Sequence, residues 1–233
     1  MPLLGKGVLV IWNGIAPQAE GDFVEWHVRE HIPERIALPG FLRGRRYVAV
    51  DGFPKYFNFY ETSSVDALLA PVYQKRLNAP SEWTRKVVAQ FADTSRTICD
   101  VAASAGAGEG GFVDTLRLSS SADSSTFTAA VSQILPHVLQ SPGIVAVHLL
   151  KGRREASGGS TTENRLRNQP NQVEDWVMLI EAIDIEPLRN IRDTVGSDAI
   201  LNAAGARLPI ARGSYRLQYG LVKGELAAAD KSV

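Results

Sequence analysis

The chain repeats itself at a spacing of 103 residues, and a repeat of that length limits the fold more than any single motif does. His31-Ile-Pro-Glu-Arg-Ile-Ala-Leu-Pro-Gly-Phe41 lies without gaps over Ile134-Leu-Pro-His-Val-Leu-Gln-Ser-Pro-Gly-Ile144. Pro33 falls on Pro136, Pro39 on Pro142, Gly40 on Gly143 and Phe41 on Ile144. The order of elements around these anchors repeats as well. In the first half an apolar strand (Gly7–Trp12) precedes a helix (Ala19–Ala37) that ends at the Pro39-Gly40 turn. Two strands follow, Arg45–Val50 and Tyr56–Glu61, joined by the turn Asp51-Gly52-Phe53-Pro54-Lys55. A second helix runs from Val65 to Phe91 and breaks near Pro80, which cannot continue it. The strand Ser95–Val101 closes the series.

The second half reads Phe112–Leu118, Ser125–Gln140, Val145–Leu150, Trp176–Ala182, Pro187–Ala204 and Ser214–Val222. Each half is therefore β-α-β-β-α-β, the ferredoxin-like motif. The division is 1–104 for the first unit, 105–111 for a Gly-rich linker, 112–224 for the second unit and 225–233 for a tail. A four-stranded sheet with both helices on one face leaves the other face bare, and a second sheet is the economical cover. The expected architecture is α+β: two tandem ferredoxin-like units packed sheet to sheet as an intrachain pseudo-dimeric α+β barrel. One asymmetry stands out. Where the first unit has a short hairpin turn, the second has Glu155–Gln172, rich in Gly, Ser, Thr, Asn and Gln, which reads as a mobile, exposed, tolerated insertion ahead of a substrate lid.

Lys and Arg number 25 and so do Asp and Glu, giving zero formal net charge, and 45% of the residues are hydrophobic. That composition fits a globular protein with a sizeable core and speaks against a nucleic-acid partner, which needs a basic face. No apolar run reaches the roughly 20 residues of a membrane-spanning helix. The N-terminal stretch lacks the basic start and small-residue cleavage site of a signal peptide, so no membrane partner and a cytoplasmic location are expected. Cys99 is the only cysteine, which rules out an intrachain disulfide, and it reads as a small buried hydrophobe. Gly106–Gly111 lacks the Lys-Ser/Thr of a phosphate loop. Arg43, Arg45 and Arg46 read as a solvated strand edge ahead of a phosphate site.

The chemistry concentrates in Trp26-His27-Val-Arg-Glu30-His31-Ile-Pro33-Glu34-Arg35. His27 and His31 stand four apart, on one helical face. Glu30 and Glu34 each follow a histidine by three residues, close enough to orient an imidazole. His27-x-x-Glu30-His31 also matches the letters of inverted zinc peptidases, but a third ligand is not evident and Pro33 would distort such a helix. None of the set recurs in the second unit, so a site built on it occurs once per chain. Along Tyr56-Phe-Asn-Phe-Tyr60, alternation puts Phe57 and Phe59 on one face, suited to packing under helices. Tyr56, Asn58 and Tyr60 share the other, suited to a cavity with polar handles. Trp12, with Val8 and Val10, would supply a further wall. The competing reading of these aromatics is plain core filling.

Trp26-His27-x-x-Glu30-His31-x-Pro33-Glu34-Arg35, then Pro39-Gly40-Phe41 and Arg45-Arg46-Tyr47, resembles the signature of EthD-like proteins in the dimeric α+β barrel superfamily. The resemblance covers the first unit nearly throughout, Pro80-Ser81-Glu82-Trp83 included, and the second only through its Pro and Gly anchors and strand order. That superfamily uses one barrel for cofactor-free monooxygenases, isomerases, cyclases, stress-responsive proteins and haem-binding enzymes. On this resemblance His31 matches the histidine of the motif and is the expected general acid/base, with His27 as its assistant and Arg35 or Arg46 as a holder of an anionic group. Trp12, Trp26, Tyr56, Asn58, Tyr60 and Arg46 would bind substrate, with Glu30, Glu34 and Arg35 in support. The expected function is a small-molecule enzyme, monooxygenase-like or cyclase/isomerase-like, acting on an apolar or aromatic carbonyl compound without a cofactor. A non-catalytic binding or stress-response protein is the alternative, and a haem or metal protein with a histidine ligand the second. The expected partner is a small hydrophobic or aromatic molecule, with a homodimer open.

Overall fold

A computed structural model describes residues 3–167 and 169–229. The first strand, β1 (Gly7–Ile15), leads into helix α1 (residues 20–37), then β2 (Phe41–Asp51) and β3 (Tyr56–Thr62). Three short helices follow: α2 (Val65–Leu69), α3 (Pro71–Asn78) and α4 (Glu82–Val88), and the long strand β4 (Phe91–Gly106) closes the first half. The expected break at Pro80 is present, a second one falls at Pro71, and Phe91 opens a strand instead of ending the helix. The second half runs β5 (Phe112–Leu118), α5 (Ser124–Leu139), β6 (Ile144–Gly152), the insertion helices α6 (Arg154–Ser157) and α7 (Thr162–Leu166), and β7 (Trp176–Ala182). It ends with α8 (Ile185–Arg192), α9 (Asp198–Ala203), β8 (Ala211–Val222) and α10 (Lys223–Ala229).

The eight strands form one closed barrel in the order β1-β3-β2-β8-β5-β7-β6-β4, every neighbour antiparallel. Each ferredoxin-like half supplies four consecutive staves. The seams are β2 with β8 and β4 with β6, so neither half has a free sheet edge. This is the pseudo-dimeric α+β barrel within a single chain.

The repeated Pro-Gly anchors have a backbone reason. Gly40 and Gly143 both adopt positive φ, 81° and 79°, at the turn that ends α1 and α5. A Cβ on Gly40 would also meet Ala67, and one on Gly143 would meet Pro187. The repeat therefore marks the two places where a helix must reverse onto its own sheet.

Both faces of β3 and β7 are buried, and that sets where the site can be. Val8, Val10, Trp12, Tyr47, Phe57, Phe59, Leu179 and Tyr215 fill the lumen from both halves. Trp12 and Phe57 rings pack at 5.0 Å, and Trp12 Nε1 donates to Thr115 Oγ1 across the lumen at 3.2 Å. The expected faces of β3 are therefore reversed: Phe57 and Phe59 fill the lumen, while Tyr56, Asn58 and Tyr60 lie under the helices. Cys99 is buried in the same lumen. An ion network seals the seam side. Arg45 donates to Glu61 (3.1 Å) and Glu181 (3.0 Å), Arg43 Nε to Glu61 (2.6 Å), and Gly110 N–H to Glu181. Arg43, Arg45 and Arg46 are all buried, not a solvated edge, because β2 pairs with β8. Glu109, in the Gly-rich connection, pairs with Arg43.

Candidate functional site

A cavity lies between α1 and the outer face of the first sheet. Leu9 and Ile11 of β1, Asn58 and Tyr60 of β3 and Arg96 of β4 form its floor. Trp26, His27, His31 and Arg35 of α1 form its roof, with Tyr73, Leu77, Val88 and Phe91 at the sides. The insertion closes it: Glu163 of α7 and Arg167 just after it line the same cavity. The expected mobile loop is instead packed over the first half, with Ser157, Thr161, Glu163 and Arg167 buried. Its anchors are the Arg35–Glu163 ion pair, Ser157 Oγ accepting from Ile98 N–H at 2.9 Å, and Asn171 Nδ2 donating to Arg96 O at 2.9 Å.

The roof is not a regular α-helix. Residues His27–His31 form a π-helical turn in which Ile32 N–H reaches back five residues to His27 O. Pro33 has no N–H to offer the preceding turn, which permits the bulge. Pro136 sits in α5 without one, so proline alone does not impose it. Trp26 stacks on His27 (centroids 4.8 Å, 18°) and packs on His31 (4.1 Å), and the two imidazoles lie 5.4 Å apart. The indole is itself held: Nε1 donates to Thr84 Oγ1 at 3.1 Å, and Thr84 donates to Glu30 Oε1 at 3.0 Å. Gly44 lets α1 approach the sheet here, since a Cβ would sit 3.1 Å from Ile32 and Tyr60.

Burial, then the charges of Arg35 and its neighbours, push both histidines well below the ordinary imidazole range. Arg46 and Arg35 act on His27; Arg35, His27, Arg167 and Arg76 act on His31. Both rings are neutral at pH 7. Burial raises the Tyr60 phenol, which stays protonated. His27 Nδ1, His31 Nδ1, Asn58 Oδ1, Tyr60 Oη and Arg167 Nε and Nη1 are all buried without a hydrogen-bond partner among the described residues. Such atoms are rare in folded proteins, and here they converge on one cavity.

Of the residues expected at the site, His27, His31, Trp26, Asn58, Tyr60 and Arg35 line the cavity. Trp12 does not; it is locked in the lumen. Tyr56 faces the helices but donates to Glu20 Oε1 at 2.7 Å, away from the cavity. Arg46 is spent on Val24 O (3.0 Å) and Gln218 (2.9 Å) and lies outside the lining. Glu30 and Glu34 do not orient the imidazoles. Glu30 accepts from Ser81 and Thr84, and Glu34 pairs with Arg76 and Arg35, because the π turn rotates them off the histidine face. This also removes the zinc-peptidase arrangement; among the described residues no three His, Cys, Asp or Glu side chains are grouped to hold a metal. The floor and lid residues Arg96, Glu163 and Arg167 were missed. The spacing Glu163-x-x-x-Arg167 was visible as one helical face, yet nothing in sequence places it over α1.

As folded, the cavity holds about 20 Å³ of water-accessible space. A water needs roughly 10–15 Å³, whereas ligand pockets run to about 300–1,000 Å³. As folded the cavity has room for a water and not for a ligand-sized molecule, so a ligand binds there only with movement of the lining residues.

No protein-family model matches the chain, and no curated protein matches it. Solved structures do. The chain is similar to an anthrone oxidase-like protein (16% identity, 94% of each chain covered, TM-score 0.61). It is also similar to a candidate monooxygenase from Fusobacterium nucleatum (13%, 95% and 96% covered, TM-score 0.58) and to a candidate chlorite dismutase (14%, 97% and 99%, TM-score 0.54). At these identities the likeness establishes the dimeric α+β barrel fold over the full chain, and the site must carry the function.

Proposed function

We propose that this protein is an EthD-like, cofactor-free enzyme that abstracts a proton from an apolar or aromatic carbonyl compound, with His31 as general base and His27 assisting. The observation that carries this reading is the set of unpartnered buried polar atoms of His27, His31, Asn58 and Tyr60 around one cavity. A neutral imidazole is in the form that accepts a proton. The same guanidinium charges that hold it neutral also stabilise an enolate or phenolate, which offsets its modest basicity. Tyr60, a protonated phenol with no other acceptor, donates to the developing oxyanion. Asn58 Nδ2 is committed to Asn13 Oδ1 at 2.8 Å, so Asn58 offers its Oδ1 and accepts from a substrate hydroxyl. Removal of the proton leaves imidazolium and an electron-rich enolate, the species that either meets dioxygen in a monooxygenation or closes and shifts in a cyclisation or isomerisation.

The likeness to the anthrone oxidase-like protein and the candidate monooxygenase supports screening anthrones and related hydroxyaromatics first. Oxygen uptake and product formation over that panel test the proposal. His31→Gln should lower kcat/KM by at least 100-fold and His27→Gln by less. Turnover unchanged in His31→Gln would overturn the assignment. Binding without any turnover, unaffected by His31→Gln, would make the protein a ligand-binding one.

A further inference from the structure

Whole-chain charge is zero, but the charge around this cavity is not. Three guanidinium groups, Arg35, Arg96 and Arg167, line it and face one carboxylate, Glu163. Arg35 takes that carboxylate, together with Glu34 at 3.2 Å, and Glu34 is itself shared with Arg76. Arg96 is 5% exposed and has Tyr73 Oη at 3.0 Å, a neutral partner. Arg167 is 7% exposed, lies over the Phe91 ring at 5.9 Å, and leaves Nε and Nη1 without a hydrogen bond. The histidines and the two tyrosines, Tyr60 and Tyr73, add no negative charge. Among the described residues neither Arg96 nor Arg167 has an ion-pair partner of its own, since Glu163 is paired with Arg35, and a buried ion without one is poorly tolerated in a protein interior. The strain shows in Arg167, which burial and the nearby Arg96 lower to about 10.

We infer that the lid insertion brings Arg167 over the cavity to bind an anionic substrate group, and that the substrate is an aromatic or apolar carboxylate. A carboxylate answers each open feature: it supplies the missing negative charge, and it accepts charge-assisted hydrogen bonds from the two idle donors. Leu9, Ile11, Leu77, Val88 and Phe91 receive the apolar body. Because Arg167 rides on the insertion, the anion would also draw the lid shut over the substrate and exclude water from the histidines. This assignment rests on the proposed function only for the location of the site; the subsite is built from residues that take no part in proton transfer.

Calorimetric titration with 2-naphthoate and its neutral counterpart 2-naphthamide tests it without turnover. The wild-type protein should bind the carboxylate at least tenfold more tightly than the amide. Arg167→Met, which keeps the aliphatic reach, should weaken naphthoate tenfold or more and leave naphthamide within twofold. Arg167→Lys should retain part of the preference. The ligand-free Arg167→Met protein should melt at or above the wild-type temperature, since an idle buried charge has been removed; a structural arginine would do the opposite. Equal affinity for the two compounds, no binding of either up to their solubility, or a preference untouched by Arg167→Met overturns the inference. If Arg167→Met does not fold, the wild-type comparison and Arg96→Met decide it by the same criteria. Failure of His31→Gln to alter turnover would sink the proton-abstraction reading and leave this binding result standing.

Discussion

At the scale of single residues, the site depends on keeping two imidazoles uncharged inside a cationic pocket. The unfolded chain carries histidines near 6.5, while the folded chain holds His27 and His31 well below that. Between those values the unfolded state binds more protons, so stability rises with pH through the window and is lost as pH falls below 6.5. Each histidine can contribute a slope of up to about 1.4 kcal/mol per pH unit. Urea midpoints at pH 7.5, 6.0 and 5.0 should fall accordingly, and the double variant His27→Gln/His31→Gln should flatten that decline. An unchanged slope would mean the rings are not neutralised by burial. Thr84 is the other residue on which the geometry hangs, since it accepts from Trp26 Nε1 and donates to Glu30. Thr84→Val keeps the shape, leaves the Trp26 indole N–H without its acceptor and takes one of Glu30's two donors, so it should cost about 1–3 kcal/mol in chemical denaturation.

At the scale of elements, the lid insertion separates what the sequence could reveal from what it could not. Strand positions and the Pro-Gly helix ends were readable, because periodicity and positive-φ glycine are local properties. Which face of Tyr56–Tyr60 meets the helices was not, because both faces of a barrel stave are buried and alternation loses its polar marker. The His27/His31 pair was visible, but its carboxylate partners were assigned by α-helical spacing and the π turn breaks that spacing. The insertion's polar composition points to a mobile surface loop, whereas the fold buries Ser157, Thr161, Glu163 and Arg167. One of its anchors is the buried pair of Glu163 with Arg35, which no composition shows. Removing one partner of a buried pair costs about 3 kcal/mol. In Glu163→Ala that loss should fall mainly on local opening of 155–172, making trypsin cleave after the exposed Arg165 at least tenfold faster while the global melting temperature moves little. Cleavage at the wild-type rate would show that the insertion is held by something other than this pair.

At the scale of the whole molecule, duplication has been converted into a single cooperative unit. Separate ferredoxin-like halves would each expose two sheet edges and an apolar face; in this chain the edges are spent on the β2–β8 and β4–β6 seams. The lumen is shared in the same way. Trp12 of the first half is fully buried, packs on Phe57 and donates to Thr115 of the second half. Arg45 of the first half neutralises Glu181 of the second, holding that carboxyl down at about 2. With a core of this kind, neither half can open without exposing the other's lumen face, so unfolding should be one transition even though the chain was built by repetition. Trp12→Ala leaves a cavity and removes the indole donor to Thr115, and should cost about 3–5 kcal/mol. Fluorescence from Trp26 and Trp83, which report the first half, and that of Trp176, which reports the second, should then shift to a lower midpoint together. Separation of the two reporters into distinct transitions, isolated by Trp→Phe substitutions elsewhere, would show that the seams do not couple the halves and that the helix-side site is stabilised by the first unit alone.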